Sequence, residues 1–182
     1  MDIVTERLTL RPWRETDAED LYRYASDERV GPPAGWPAHK SVEESREIIR
    51  TVFSRDGVYA VTLKGTDRAV GCIGLLAGAQ CNFPLAPDEG ELSYWLGVPF
   101  WGRGLIPEAA RALLCHGFRE MGLRAVWCGY FDGNAKSKRV QEKCGFRYHH
   151  TEPEKFYALT QDRRVEHVCR LTREEWAATF SP

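Results

Sequence analysis

The sequence predicts a layered α/β or α+β domain built around one mixed sheet. Three observations point there. Segments that alternate apolar and polar residues interleave with segments whose apolar residues recur at helical spacing. No linker, internal repeat or low-complexity tract divides the 182 residues, which suits one domain spanning 1–182. The middle of the chain, Glu91 to Arg111, passes directly from strand to glycine turn to helix.

Taken in order, residues 3–11 alternate and carry β-branched side chains, predicting a first strand that ends at Pro12. Thr16-Asp-Ala-Glu19 has the form of a capping box and predicts a helix to about Arg29. Gly31 to Pro37, rich in proline and glycine, is a loop. Ser41-Val-Glu-Glu44 opens a second helix to about Phe53. Val58–Leu63 and Ala69–Leu76 are strands joined by the Lys64–Asp67 turn, hence a hairpin. A polar connection runs from Gln80 to Gly90.

In the central stretch Leu92, Tyr94 and Leu96 alternate with Ser93 and Trp95, and Pro99 closes the strand because it has no N–H for a ladder. Pro107 fits the first helical position. Ala110, Leu113, Leu114, Gly117, Phe118 and Met121 give that helix one buried face, and Gly122 ends it. Leu123–Phe131 is the next strand. Asn134 caps a helix to Cys144, stopped by Gly145. Phe146–His150, Phe156–Leu159 and Val165–Leu171 are extended, and Thr172-Arg-Glu-Glu175 starts a short tail helix containing Trp176.

Composition narrows the function. Lys plus Arg number 25 against 26 Asp plus Glu, so there is no basic excess of the kind a nucleic-acid binder carries. No run of about 18 apolar residues suggests a membrane span, and the first residues hold no apolar signal core, so the expected location is the cytoplasm. Six cysteines with no Cys-x-x-Cys pair read as free thiols, four of them within apolar patterns. His149 and His150 are adjacent and would point to opposite faces of a strand, so no metal site is expected.

Gly102 and Gly104 flank Arg103, which lets the backbone turn sharply just before a helix. Free N–H groups and the positive end of a helix dipole make such a turn an anion site, above all for phosphate. The two common nucleotide motifs do not fit. A dinucleotide fingerprint needs glycine where Pro107 stands, and a P-loop needs Lys-Ser/Thr where Leu105-Ile106 stands. An ordinary strand–helix loop is the alternative. The second informative stretch is Asn134 to Phe146. There Lys136, Lys138 and Arg139 crowd the start of a helix, where the dipole disfavours cations unless an anion is near. A solvated basic patch would look the same.

Thr5-Glu-Arg-Leu-Thr-Leu-Arg-Pro12, Tyr94-Trp-Leu with Trp101-Gly-Arg-Gly-Leu-Ile-Pro-Glu-Ala109, and Asn134-x-x-Ser137 with Glu142-Lys-Cys-Gly-Phe146 together resemble the GNAT superfamily of acetyl-CoA-dependent N-acetyltransferases. Within it the nearest likeness is to the RimJ/RimL-type ribosomal-protein N-terminal acetyltransferases. The resemblance implies a six- or seven-stranded mixed sheet, splayed between the strands at 91–98 and 123–131. About four helices and a short C-terminal one would flank it. It implies acetyl-CoA as co-substrate and no metal. The pantetheine arm would pair with backbone near Leu96, Gly97 and Val98, and the diphosphate would sit on Gly102, Arg103, Gly104, Leu105 and Ile106. Asn134 would bind the pantetheine end or a water, Ser137 would lie near the sulfur, and Lys136, Lys138 and Arg139 would meet phosphate. Two positions depart from the pattern: Pro99 replaces a usual Gln or Arg, and Gln141 stands where many relatives have a tyrosine acid. Glu108, an acid beside the expected phosphate, is implied to tie down the loop.

Thioester aminolysis needs a proton acceptor for the amine and a proton donor for the leaving thiolate. It also needs an N–H donor for the oxyanion, which backbone near Val98 could supply. Glu91 is the candidate base, with a solvent-facing strand residue as its alternative, and Ser137, or a water it holds, is the candidate acid. The acceptor is expected to be the α-amino group of a protein or peptide. A small amine, such as a polyamine, an amino acid or an antibiotic, is the alternative, and a CoA-binding sensor is the non-enzymatic one. The acceptor should meet the first two helices and the Trp36–His39 loop, where Trp36 could instead be a core plug. The chain is expected to be a monomer or a homodimer.

Overall fold

The computed structural model describes residues 2–180. Eight strands hydrogen-bond in the order β1-β2-β3-β4-β5-β6-β8-β7 within one mixed α/β sheet, with five α-helices among the described residues. The eighth strand arises at the N-terminus. The single strand expected over 3–11 is a hairpin of β1 (Ile3–Val4) and β2 (Leu8–Pro12). Thr5 makes the break: its N–H reaches Leu8 O at 2.9 Å and its hydroxyl accepts from Leu8 N at 2.9 Å.

Two compact units divide the chain, Met1–Gly74 with Tyr94–Ala109, and Leu75–Ser93 with Ala110–Pro182. The first contains β1, β2, β3 (Val58–Leu63), α1 (Ala18–Ala25) and α2 (Val42–Ile48). β4 (Ala69–Ala77), β5 (Glu89–Leu96) and α3 (Leu105–Arg119) each contribute a part to both units. β3 and β4 form the expected antiparallel hairpin, with Tyr59 opposite Ile73. The Ser41 hydroxyl caps α2, accepting from Glu44 N at 3.0 Å. The Thr16 capping box does not form. A 3-10 turn over Glu15–Asp17 precedes α1 instead, because Asp17 turns its carboxylate inward to Arg11 and to the backbone N–H of Arg14. α1 also stops at Ala25, short of Arg29.

The first unit's core gathers Trp13, Leu21, Val30, Ile49, Cys72 and Trp95, with Tyr24, Trp36 and Phe53 packed against it. Trp36 acts as a plug. It stands edge-on to Trp95 at 5.8 Å, and Gly31 is held so close that a Cβ there would lie 2.6 Å from the indole. Arg11 is 2% exposed and makes a two-pronged pair with Asp17, both contacts at 2.8 Å.

The second unit holds β6 (Ala125–Phe131), α4 (Ala135–Lys143), β7 (Arg147–Tyr157), β8 (Asp162–Thr172) and α5 (Arg173–Phe180). β5 and β6 are parallel, in register from Glu89–Ala125 to Glu91–Trp127, and both strands continue beyond those positions. The sequence predicts two short extended runs where β7 is one long strand. The register slips between Glu152 and Lys155, and that irregularity takes in Pro153, which cannot serve a regular ladder. The third capping box forms reciprocally: Thr172 N donates to Glu175 at 2.9 Å and Glu175 N to Thr172 Oγ1 at 3.2 Å. Trp176 is buried and tilts against Phe118 at 5.3 Å.

Candidate active site

The glycine turn belongs to the first unit and opens α3. Gly102 and Gly104 have φ of +76° and +74°, values that L side chains rarely adopt. Space around Gly102 is open within 4 Å. α3 begins at Leu105, so Pro107 stands at the third helical position and not the first. Its missing N–H is still one of the four that a helix start leaves unpaired, so the proline costs nothing there.

Upstream of the turn, much of the backbone is already engaged. Gly97 N donates to Val70 O at 2.8 Å, Leu96 O accepts from the Trp101 indole at 2.7 Å, and Gly97 O accepts from Phe100 N at 3.0 Å. The expected pairing with a ligand over Leu96, Gly97 and Val98 therefore narrows, and among the described residues the N–H of Val98 is not used in this way. Gly97 is obligatory for packing, since a Cβ would lie 2.6 Å from the Tyr24 ring.

Glu108 ties the turn to the N-terminal hairpin. One carboxylate oxygen accepts from the Thr5 hydroxyl at 2.6 Å and from Arg7 N at 2.8 Å; the other accepts from Arg7 Nε at 2.6 Å. Arg7 also donates to Arg103 O at 2.9 Å, inside the turn itself. Burial alone would raise the Glu108 carboxyl, but the hydrogen bonds from Thr5 and Arg7 outweigh it and hold it below its ordinary value. Sequence reasoning gave Thr5 and Arg7 no chemical role. Only the 101-residue separation of Arg7 and Glu108 hid the pair.

The second unit carries the other predicted residues. Asn134 caps α4, its side chain accepting from Ser137 N at 3.1 Å. Ser137 is half-buried, and its Oγ accepts from Gln141 Nε2 at 3.4 Å. Gln141 is 1% exposed and bonds Gly129 O of β6 at 3.0 Å, so it pins the helix to the sheet. Lys138 and Arg139 are exposed and lie 4.0 and 3.5 Å from Glu142, which offsets part of their charge. A pocket of about 450 Å³ lies here, with Tyr130, Asp132, Asn134, Lys138, Tyr148 and His167 in its wall.

Glu91 is 8% exposed, which removes the alternative of a solvent-facing strand residue. Its two oxygens accept from Asn82, from the backbone N–H at 2.5 Å and from Nδ2 at 2.9 Å. At the paired position on β6 stands Trp127. Among the described residues no group of three or more His, Cys, Asp or Glu is placed to hold a metal ion. No helix among them is long and apolar enough to cross a membrane. Cys72, Cys81, Cys115 and Cys169 are free thiols.

A family model described as an acetyltransferase (GNAT) domain matches residues 7–147, which takes in β2, the glycine turn and α4. The chain belongs to the GNAT acetyltransferase family. "Uncharacterized N-acetyltransferase p20" of Bacillus licheniformis is 28% identical over 153 residues, covering 80% of this chain and 82% of that protein. "Putative ribosomal N-acetyltransferase YdaF" of Bacillus subtilis is 30% identical over 148 residues, 79% of each chain. A crystal structure of a GNAT-family acetyltransferase from Bacillus anthracis superposes with a TM-score of 0.81. At 24% identity, over 96% of this chain and 99% of that one, it bears on the fold alone. GNAT enzymes are acyltransferases that use acetyl-CoA, and acetyl transfer to an amine is the chemistry the family assigns to this chain.

Proposed function

We propose that the protein, acting as one domain in the cytoplasm, moves the acetyl group of acetyl-CoA to the α-amino group of a protein or peptide, in the manner of the RimJ/RimL branch. The observation that carries the donor assignment is the pair of left-handed glycines opening α3 inside the family-matched segment. The N–H groups of Gly102 to Ile106 hold the diphosphate. Backbone near Leu96, Gly97 and Val98, with Asn134, holds the pantetheine arm, and Lys138 meets phosphate. The acceptor assignment is supported by the ribosomal name of the relative YdaF.

Acetyl-CoA supplies an acetyl group activated as a thioester. Glu91 takes a proton from the acceptor ammonium; the electron pair left on nitrogen forms the C–N bond to the thioester carbonyl carbon. The Val98 N–H donates to the carbonyl oxygen as charge builds there. As the C–S bond breaks, its electron pair leaves with sulfur, Ser137 delivers the proton that sulfur takes, and the second proton that nitrogen sheds on becoming an amide returns to the Ser137 oxygen. Gln141 has no acidic proton to give.

Thermal unfolding with acetyl-CoA, CoA, ATP and NAD tests the donor assignment. Acetyl-CoA at 100 times its Kd adds about 2.7 kcal/mol, which for a chain of this size raises Tm by about 5 to 10 °C. CoA should act similarly, and ATP and NAD should not. No shift at saturation would sink the donor assignment. A peptide array that stays blank while small amines react would overturn the acceptor assignment.

A further inference from the structure

We propose that Asn82 is a positioning residue for the proton transfer: it holds the Glu91 carboxylate in one orientation and keeps a lone pair on each oxygen available to the acceptor. The proposal rests on the assignment of Glu91 as base. The geometry is asymmetric in an informative way. Glu91 is buried on β5, whereas Asn82 is exposed, on the connection between β4 and β5. A buried carboxylate needs hydrogen-bond donors. One residue supplies both, from its backbone N–H to Oε2 and from Nδ2 to Oε1.

Those donors are neutral. An ionised carboxylate has about four lone-pair sites, and Asn82 occupies two of them. The arrangement orients the group without cancelling its charge. Its surroundings add no competing proton. Cys81, on the same connection, is pushed up to about 11 by burial and then by the charge of Glu91, so its thiol stays neutral at working pH. From β6 comes the uncharged indole of Trp127. Arg170 and His149 stand on that indole, at 5.5 and 4.8 Å from its ring, and not on the carboxylate.

The test is the pH dependence of kcat/KM, measured with acetyl-CoA and a hexapeptide bearing a free α-amino group that reacts in the array. Asn82→Ala removes only the side-chain donor. The backbone donor stays, and the exposed position leaves the fold intact. We expect a fall of roughly fivefold in kcat/KM and an upward move of the acid limb by about half a pH unit. KM for acetyl-CoA should be unchanged. Asn82→Asp sets a second carboxylate against the first and should move the acid limb further in the same direction. Asn82→Ser, which restores a short donor, should return part of the way. If both Asn82→Ala and Asn82→Asp keep the wild-type limb, Asn82 merely tethers the connection, and a uniform drop in rate without a limb shift means the same. Glu91→Gln separates the two assignments. If it keeps the wild-type profile, the base assignment fails and takes this one with it. If it collapses activity while the Asn82 variants keep their limb, only the role of Asn82 is lost.

Discussion

Glu108 and Glu91 are both glutamates with both oxygens hydrogen-bonded, yet their partners differ in the property that matters. Glu108 faces a cation: Arg7 grips it through its backbone N–H and its guanidinium, and Thr5 adds a third donor. Its charge is compensated and its proton affinity lowered. Among the described residues Glu91 accepts from the neutral N–H groups of Asn82, and it is more deeply buried. A carboxylate spent on an arginine is an anchor, whereas one held by amides keeps its charge for an incoming ammonium. With Glu91 as the proposed base, the difference separates a structural acid from a chemical one without reference to sequence spacing.

Amide substitution at the two sites should break this pairing in opposite ways. Glu91→Gln removes the proposed proton acceptor and should lower kcat/KM by about 10²- to 10³-fold, while the Tm shift produced by acetyl-CoA stays at its wild-type size. A rate–pH profile identical to wild type would remove Glu91 from the mechanism. Glu108→Gln should do the reverse. It loosens the link between hairpin and turn, costing about 1 to 2 kcal/mol of stability, and weakens acetyl-CoA binding several-fold, with kcat at saturation largely kept.

The acid side of the stability curve sharpens the contrast. Glu108 has a folded-state value depressed below its ordinary 4.5. Its contribution is therefore fully present above about pH 5 and is lost as pH falls through the lowered folded value. Denaturant unfolding of wild type and Glu108→Gln between pH 7 and pH 3 should converge as pH drops. Curves that stay parallel would mean that the carboxylate contributes nothing through its charge.

What the sequence made legible follows the same division. Motifs that act through backbone conformation could be read directly: the glycines at 102 and 104, the Asn134 and Ser41 caps, and the Thr172 box all sit where local chemistry put them. Tertiary demands overrode local ones elsewhere. Asp17 abandoned the Thr16 box because Arg11, buried at 2% exposure, needed a counter-charge. Pro153 was absorbed by a slip in register instead of breaking β7. The partners of the two glutamates were least legible. Arg7 lies 101 residues from Glu108, and Asn82 sits in a connection with no periodicity to mark one asparagine above its neighbours.

The last prediction concerns Ser137, and it asks whether the leaving group needs a protein acid at all. The Ser137 backbone N–H is bound by Asn134 and its hydroxyl accepts weakly from Gln141, at 3.4 Å. Ser137→Ala keeps the cap, because Asn134 bonds the backbone, so the helix should not move and Tm should change by less than about 2 °C. If the hydroxyl delivers the proton to sulfur, kcat should fall by about 10-fold or more with KM for acetyl-CoA little altered. A rate within about twofold of wild type would instead mean that the thiolate leaves unaided. A thiol has a pKa near 8.5, so its anion is a tolerable leaving group at neutral pH. Catalysis by this chain would then rest on the amine side, on Glu91 and the residue that holds it.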